Sequence, residues 1–500
     1  MLPKRFETFI RILALSALSF WLPTATRSPS STPIPTPSPK LSQFTFPVKV
    51  GPTGRYLVDQ KRKPWMLIAD SAWTMLSHFS PAQQATYCAT RAAQGFTAVL
   101  FSIMVGPNEG RHATPFSLLD GRLPFTGTVS VGGVTYPDIS KPNPAYWAEI
   151  DSFIKLAGSY NLCAIPVATD TGNGQLNSCT LPTFRANGVA KCQAFGAFLG
   201  NRYKNFPNII WQHGNDYNRT GNFNGQQPGD SHLMAAIING IRSADNNHLH
   251  TLECDSGEPT PTCDLSSDDT TLYPLTDINE VYSYIPNYAP ILLGYNLPSP
   301  KPVILGENGY EGQGLLVPDV RKQDWWIATS GAAGQFWGTN NMSVSSSPSS
   351  RSLPGLLASP GAIQMSYLAL FFSILQWWNL VPDQTNVFVT AGKGTAFSNC
   401  GIADASGTVA ADGYSTASIT ADKTLGVVYI PTGNTITVNM GAFAAGFKVN
   451  ARWFDPTNGT YTLVAGSPFA ATGSQVFAPP GKNSQGQADW VIVFQQGSPA

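Results

Sequence analysis

Charge is scarce in this chain. Asp, Glu, Lys and Arg make up only 12% of its 500 residues, about half the usual share. Thirty basic residues balance thirty acidic ones. With no net charge there is no broad electrostatic footprint for nucleic acid or an anionic membrane surface. Histidine numbers 6 and cysteine 7, with neither CxxC nor HExxH, so no metal centre and no zincin-type protease is expected. No GxGxxG follows the first strand, which argues against a dinucleotide cofactor. No GxSxG nucleophile elbow occurs either. The reading therefore requires neither cofactor nor metal. What the chain does have is apolar mass (42%), 12 Trp, 17 Tyr and 27 Phe, and many turn formers, with 46 Gly and 40 Pro. Those aromatics supply core, and some can supply flat surface for stacking on a sugar ring.

Residues 1–27 read as a signal peptide. Lys4, Arg5 and Arg11 form the basic start, Ile12 to Leu22 the apolar run, and Pro23, Thr24 and Ala25 a cleavage region. The apolar run is shorter than the ~20 residues a membrane span needs, and no other run is expected to cross a bilayer. Residues 28–43, rich in Ser, Thr and Pro, read as an extended linker. The chain is thus expected outside the cell, or in the periplasm of a bacterial host, as a monomer without stable membrane insertion. Export permits disulfides. The sequence-close pairs Cys179–Cys192 and Cys254–Cys263 are the natural candidates, and the odd count leaves at least one thiol.

From residue 44 to 383 short apolar strands alternate with amphipathic helical stretches, about eight times over. That rhythm predicts a (β/α)8 TIM barrel, with a doubly wound open sheet as competitor. From 384 to 500 the texture changes to Gly, Thr, Ser and Val alternation with no clear helix, which predicts a small all-β sandwich.

Two strand ends carry candidate chemistry. Asn208-Ile-Ile-Trp211 runs into Gln212-His-Gly-Asn215-Asp216-Tyr-Asn218, and Pro302-Val-Ile-Leu-Gly306 runs into Glu307. In a barrel the C-terminal strand ends line the active site. The spacing puts Asp216 on strand four and Glu307 on strand seven, so two carboxylates meet in one pocket. Glycoside cleavage needs such a pair, one protonated and one ionised. An isolated carboxylate at a strand end is more often a helix cap or a loop ion pair. Two of them at this spacing favour catalysis.

With these motifs the sequence resembles the apiosidase-like glycoside hydrolases, secreted barrel enzymes followed by a β-domain of collagen-binding type. The matching stretches are Gly54-Arg-Tyr-Leu-Val-Asp59, Ala69-Asp-Ser-Ala-Trp73, Arg91-Ala-Ala-Gln-Gly-Phe96, Pro207 through Asn218, Gly306-Glu307, Trp377 through Asp383, and in the tail Tyr429-Ile-Pro431, Trp453-Phe-Asp-Pro456, Pro479-Pro480 and Asp489-Trp-Val491. The resemblance implies a retaining glycosidase acting on plant or microbial polysaccharide or oligosaccharide, with Asp216 as acid/base and Glu307 as nucleophile. Two departures, Gly-Asn-Asp for Gly-Gly-Asp and Gly-Glu-Asn for Gly-Glu-Pro, alter the pocket wall and leave the sugar open, as does the long stretch from Val105 to Ser140.

Position suggests further substrate contacts: Asp70 at the end of strand one, Asp170 at the end of strand three, His213 near Asp216, Asn215, Asn218, and Trp337 as an aromatic floor ending strand eight. Asp70 could equally cap the next helix. Trp73 is expected to pack under a loop, and Trp377 and Trp378 to cement the domain junction. The competing reading is a non-catalytic, secreted polysaccharide- or collagen-binding protein, which would need no paired carboxylates. A protease is disfavoured by the missing motifs.

Overall fold

The parallel strands of the first domain are buried almost throughout, and their side chains alternate between two surroundings. In the computed structural model, which describes residues 43–104, 116–171, 180–217, 227–254, 265–313, 315–339, 353–400 and 406–499, eight parallel strands form one sheet. They are β1 (Leu67–Ser71), β2 (Ala98–Ser102), β3 (Cys163–Thr169), β4 (Ile210–Tyr217), β5 (Leu249–Cys254), β6 (Asn279–Tyr282), β7 (Val303–Glu307) and β8 (Gly334–Trp337). Their order is β5-β4-β3-β2-β1-β8-β7-β6. The amide of Asp277, just before β6, donates to the carbonyl of His250 on β5 at 2.8 Å, and Thr251 on β5 reaches Glu280 on β6, so the two ends meet and the sheet closes as a TIM barrel. The signal-peptide and linker assignments lie outside the described residues.

Period-two alternation sorts the side chains. Leu67, Ala69, Leu100, Ile165, Val167, Ile210, Ile304 and Phe336 fill the barrel interior. Val99, Phe101, Ala164 and Trp211 point outward to the helices. Helices α1 (Pro81–Ala93), α2 (Pro144–Ser159), α3 (Leu181–Tyr203) and α4 (Asp230–Ala244) follow the first four strands, and α5 (Tyr288–Tyr295) and α6 (Val317–Ala328) follow β6 and β7. α1 begins in a capping box between Ser80 and Gln83, which satisfies two otherwise orphaned amides. After β5 the described part of the connection holds 3-10 turns, Ser266–Asp268 and Tyr273–Leu275.

After β8 come α7 (Leu353–Leu357) and α8 (Pro360–Ser373). Taken together, residues 353–373 are long and apolar enough to cross a membrane by length and composition, contrary to the expectation that no such run remained. They are two helices rather than one: Ser359 caps α8 with its side chain and Pro360 starts it. Met365, Leu368, Phe371 and Phe372 are buried in the fold's own core.

The tail is antiparallel. One sheet orders β9 (Leu380–Pro382), β11 (Thr416–Thr420), β12 (Leu425–Ile430), β18 (Trp490–Pro499), β14 (Phe447–Phe454) and β15 (Tyr461–Leu463), with β16 (Phe469–Ala470) also on β14. A second sheet holds β10 (Val389–Ala391), β13 (Ile436–Asn439) and β17 (Ser474–Phe477). Phe388, Val428, Ile436, Val438, Ile492 and Phe494 pack together as its core. The first tail strand starts at Leu380, slightly ahead of the expected boundary, and Ser406–Ala411 is helical.

The two cysteine pairs suggested by proximity do not form. Cys192 and Cys254 are buried thiols, as are Cys88 and Cys163. Cys192 faces the α3 core beside Phe184, and Cys254 packs with Tyr217 and Met234, so side-chain burial decided against sequence nearness. Cys400 is disulfide-bonded, to a partner outside the described residues.

Candidate active site

Asp216 and Glu307 end β4 and β7, and both strands lose register there. Along β4 the pairing with β5 slips between His213 and Tyr217. Gly214 makes the slip possible. Its φ is +75°, and a Cβ there would lie 2.5 Å from the carbonyl oxygen of Glu253. Asp216 itself has φ +50°, a left-handed conformation that a non-glycine residue adopts at a cost of order 1–3 kcal/mol. Thr169 and Thr171 accept the Gly214 and Asn215 amides at 2.9 and 3.2 Å. The bulge therefore aims Asp216 off the strand. β7 repeats the device. Its pairing with β6 slips between Leu305 and Glu307, and Gly306 lies so close to Glu280 that a Cβ would meet its Oε1 at 1.7 Å.

The Glu307 carboxylate is held from two sides. Tyr284 Oη donates to Oε1 at 2.7 Å and Tyr310 Oη to Oε2 at 2.6 Å. Behind them, Trp73 Nε1 donates to Tyr310 Oη at 2.9 Å, and the Tyr282 and Tyr284 hydroxyls lie 3.0 Å apart. Burial, followed by the nearby carboxylates, pushes the titration of Tyr282, Tyr284 and Tyr310 well above the phenol range, so they remain donors. Two donated hydrogen bonds favour the ionised carboxylate and fix its orientation. Trp73 packs in the core, as expected of it, and its ring N–H also fixes the tyrosine that holds Glu307.

Beneath the pair sits a layer that the sequence reading missed. Glu253 ends β5, takes the Gln212 side-chain amide at 2.8 Å, and accepts the backbone amide of Asp216 at 3.3 Å. Glu280 on β6 accepts from Thr251 Oγ1 at 2.6 Å. Burial, with the charge of Glu307 adding to it, raises both, Glu280 to about 8. Neighbouring carboxyls in a dry interior do not all ionise, and their surroundings favour the protonated form of Glu253 and Glu280. Alternation could have flagged them, since each is a polar residue at an inward position of a buried strand.

Other expected contacts divide. Asp170 is fully buried at the end of β3 and accepts from Ser102 Oγ at 2.7 Å. Asn215 is buried beside Asp216. Asn218 lies outside the described residues. Asp70, by contrast, is fully buried and faces the helix layer, where Arg91 Nε and Tyr87 Oη of α1 bind it at 2.6 and 2.9 Å, so it joins β1 to α1 and caps no helix. His213 also faces outward, stacked on His250 at 5.1 Å. Burial lowers it to about 3 and keeps it neutral, away from Asp216's side of the strand. Trp337 is fully buried against Phe96, at 5.9 Å, and the Arg91 guanidinium, on the helix side of β8. All three sit one step out of phase with the inward positions of their strands. Among the described residues no cluster of His, Cys, Asp and Glu could hold a metal ion.

Residues 52–379 match the family described as "Apiosidase-like, catalytic domain", and residues 403–495 match the "Putative collagen-binding domain of a collagenase". No curated protein matches the sequence. Solved structures share the fold. A glycoside hydrolase family 5 protein from Bacteroides vulgatus superposes with a TM-score of 0.70 at 20% identity, over 90% of this chain and 93% of that one. A structure described as a glycoside hydrolase gives 0.70 at 21%, over 91% and 97%. The barrel, the two carboxylates at its strand ends and the family match converge: the chain belongs to the apiosidase-like family of glycoside hydrolases.

Proposed function

We propose that the protein is an exported, retaining glycosidase acting on plant or microbial polysaccharide, with Glu307 as nucleophile and Asp216 as acid/base. The observation that carries this reading is the Glu307 carboxylate, gripped by the Tyr284 and Tyr310 hydroxyls on the barrel face that also presents Asp216. A Glu307 oxygen attacks the anomeric carbon while Asp216 gives its proton to the departing glycosidic oxygen. Water then enters, Asp216 takes its proton, and the hydroxide displaces Glu307 from the sugar. Buried, protonated Glu253 binds the Asp216 amide and holds the bulge in place. Retention calls for carboxyls about 5–5.5 Å apart. The basic-apolar N-terminus supports export, and apiosyl linkages are the first to try, given the family.

Asp216→Asn tests the division of labour. It is expected to cripple hydrolysis of poor leaving groups while sparing activated aryl glycosides, which need little protonation. Added azide then restores turnover by attacking the glycosyl-enzyme without a base. Equal loss on all substrates, with no azide effect, would remove Asp216 from the acid/base role.

A further inference from the structure

Trp377 and Trp378 follow α8 at the N-terminal end of the barrel, the face opposite Asp216 and Glu307. Sequence position suggested that they seal the domain junction. They do not disappear into it: both are only half-buried, whereas Trp65, Trp147, Trp211, Trp325, Trp326 and Trp337 are fully buried. Their rings stand perpendicular, at 87° with centroids 6.2 Å apart, and Tyr56 abuts Trp377 edge-on at 6.4 Å. The pair forms a wall shared by two cavities. One, of about 400 Å³, is completed by Arg55, Tyr56 and Asp422. The other, of about 260 Å³, is completed by Phe44 and Lys63. The Arg55 guanidinium lies over the Tyr295 ring at 3.9 Å and also bonds that residue's carbonyl, so the first cavity's lining carries a fixed donor as well as the Asp422 carboxylate.

A sugar ring has an apolar face of C–H groups and an edge of hydroxyls. It is matched by an aromatic plane flanked by fixed polar groups, the recurrent composition of small-ligand sites. Two cavities sharing one aromatic wall match consecutive rings of a chain better than one isolated sugar. We propose that Trp377 and Trp378 form a second carbohydrate-binding site, distinct from the catalytic cleft, which grips a glycan chain on the far side of the barrel. Binding there would hold the enzyme on a polymer while the cleft works elsewhere on it.

The test is affinity electrophoresis of the full chain carrying Glu307→Gln, so that polymer is not consumed, through gels containing xylan, mannan, galactan or pectin. At least one polymer is expected to retard it. Adding Trp377→Ala and Trp378→Ala should weaken that retardation about tenfold or more, the loss of a principal contact. Thermal unfolding shows whether the double variant is folded. If it is not, Arg55→Met and Asp422→Asn at the solvent-facing rim replace it, with about threefold weakening expected. Retardation that persists undiminished in folded variants is binding in the cleft alone and overturns the proposal, as does no retardation by any polymer. Because the readout is binding, failure of the glycosidase reading would show as inactive wild-type enzyme and leave this result standing.

Discussion

Glu307 illustrates how one side chain depends on its neighbours. Tyr310→Phe removes one of its two donated hydrogen bonds, and a hydrogen bond to a charged group is worth about 1.5–3 kcal/mol. The kcat/KM of the variant should therefore fall roughly 10- to 100-fold with the melting temperature nearly unchanged. An unaltered kcat/KM would mean the tyrosine does not orient Glu307. Glu280 gives a pH signature. Its folded-state pKa of about 8 lies above the ordinary carboxylate value, so the native state holds a proton that the unfolded chain releases at lower pH. That contribution is fully present below about pH 4.5 and is lost as pH rises toward 8. Glu280→Gln, which cannot ionise, should thus gain stability relative to wild type across that window, measured by denaturant unfolding at several pH values. A difference that does not change with pH would contradict the protonated layer. At this scale the sequence placed Asp216 and Glu307 at barrel strand ends, because each follows a buried apolar run and a glycine. It did not reveal which way Asp70, His213 and Trp337 face, since a one-residue shift of phase exchanges the two sides of a strand.

Elements were easier to read than their orientations. β2, β3 and β7 stand out as apolar runs, and α1 as a capped amphipathic stretch. Helix α5 was missed, because Tyr288–Tyr295 is apolar nearly all round and lacks a helical stripe. The closest helix contact, between α3 and α4, is built on glycine. A Cβ at Gly240 would stand 2.2 Å from the Gln193 carbonyl oxygen, and one at Gly196 would stand 2.1 Å from that of Ile237. Gly240→Ala should push the helices apart and cost about 1–3 kcal/mol, as overpacking does, seen as a lower unfolding midpoint. Wild-type stability in this variant would mean that the helices separate freely. Since α3 and α4 flank β4, the same strain should reach Asp216 and lower activity.

At the scale of the whole molecule, barrel and tail share a core. Trp325, Phe371 and Phe372 of the barrel helices pack with Tyr429, Phe454 and Val491 of the tail, and Trp325 stacks on Tyr429 at 6.1 Å. Arg321, almost fully buried, is paired with Asp489 at 2.7 Å, and Lys322 Nζ donates to the Val409 carbonyl at 3.0 Å. Ending the chain near residue 384 would remove Asp489, the partner of Arg321, and bare the apolar surface around Trp325. Insoluble protein is the expected outcome, and a soluble, fully active barrel would refute the shared core. The sequence showed the change in texture near 384 and, through Trp377 and Trp378, a packed junction, but not the residues that seal it, because these look like any other core. The central claim, that Asp216 and Glu307 cleave glycosidic bonds with retention, is tested most directly by NMR of the first-formed product anomer during hydrolysis, beside Glu307→Gln. The account expects the substrate's own anomeric configuration to appear first and no turnover in the variant. An inverted product, or a variant as active as wild type, would contradict it.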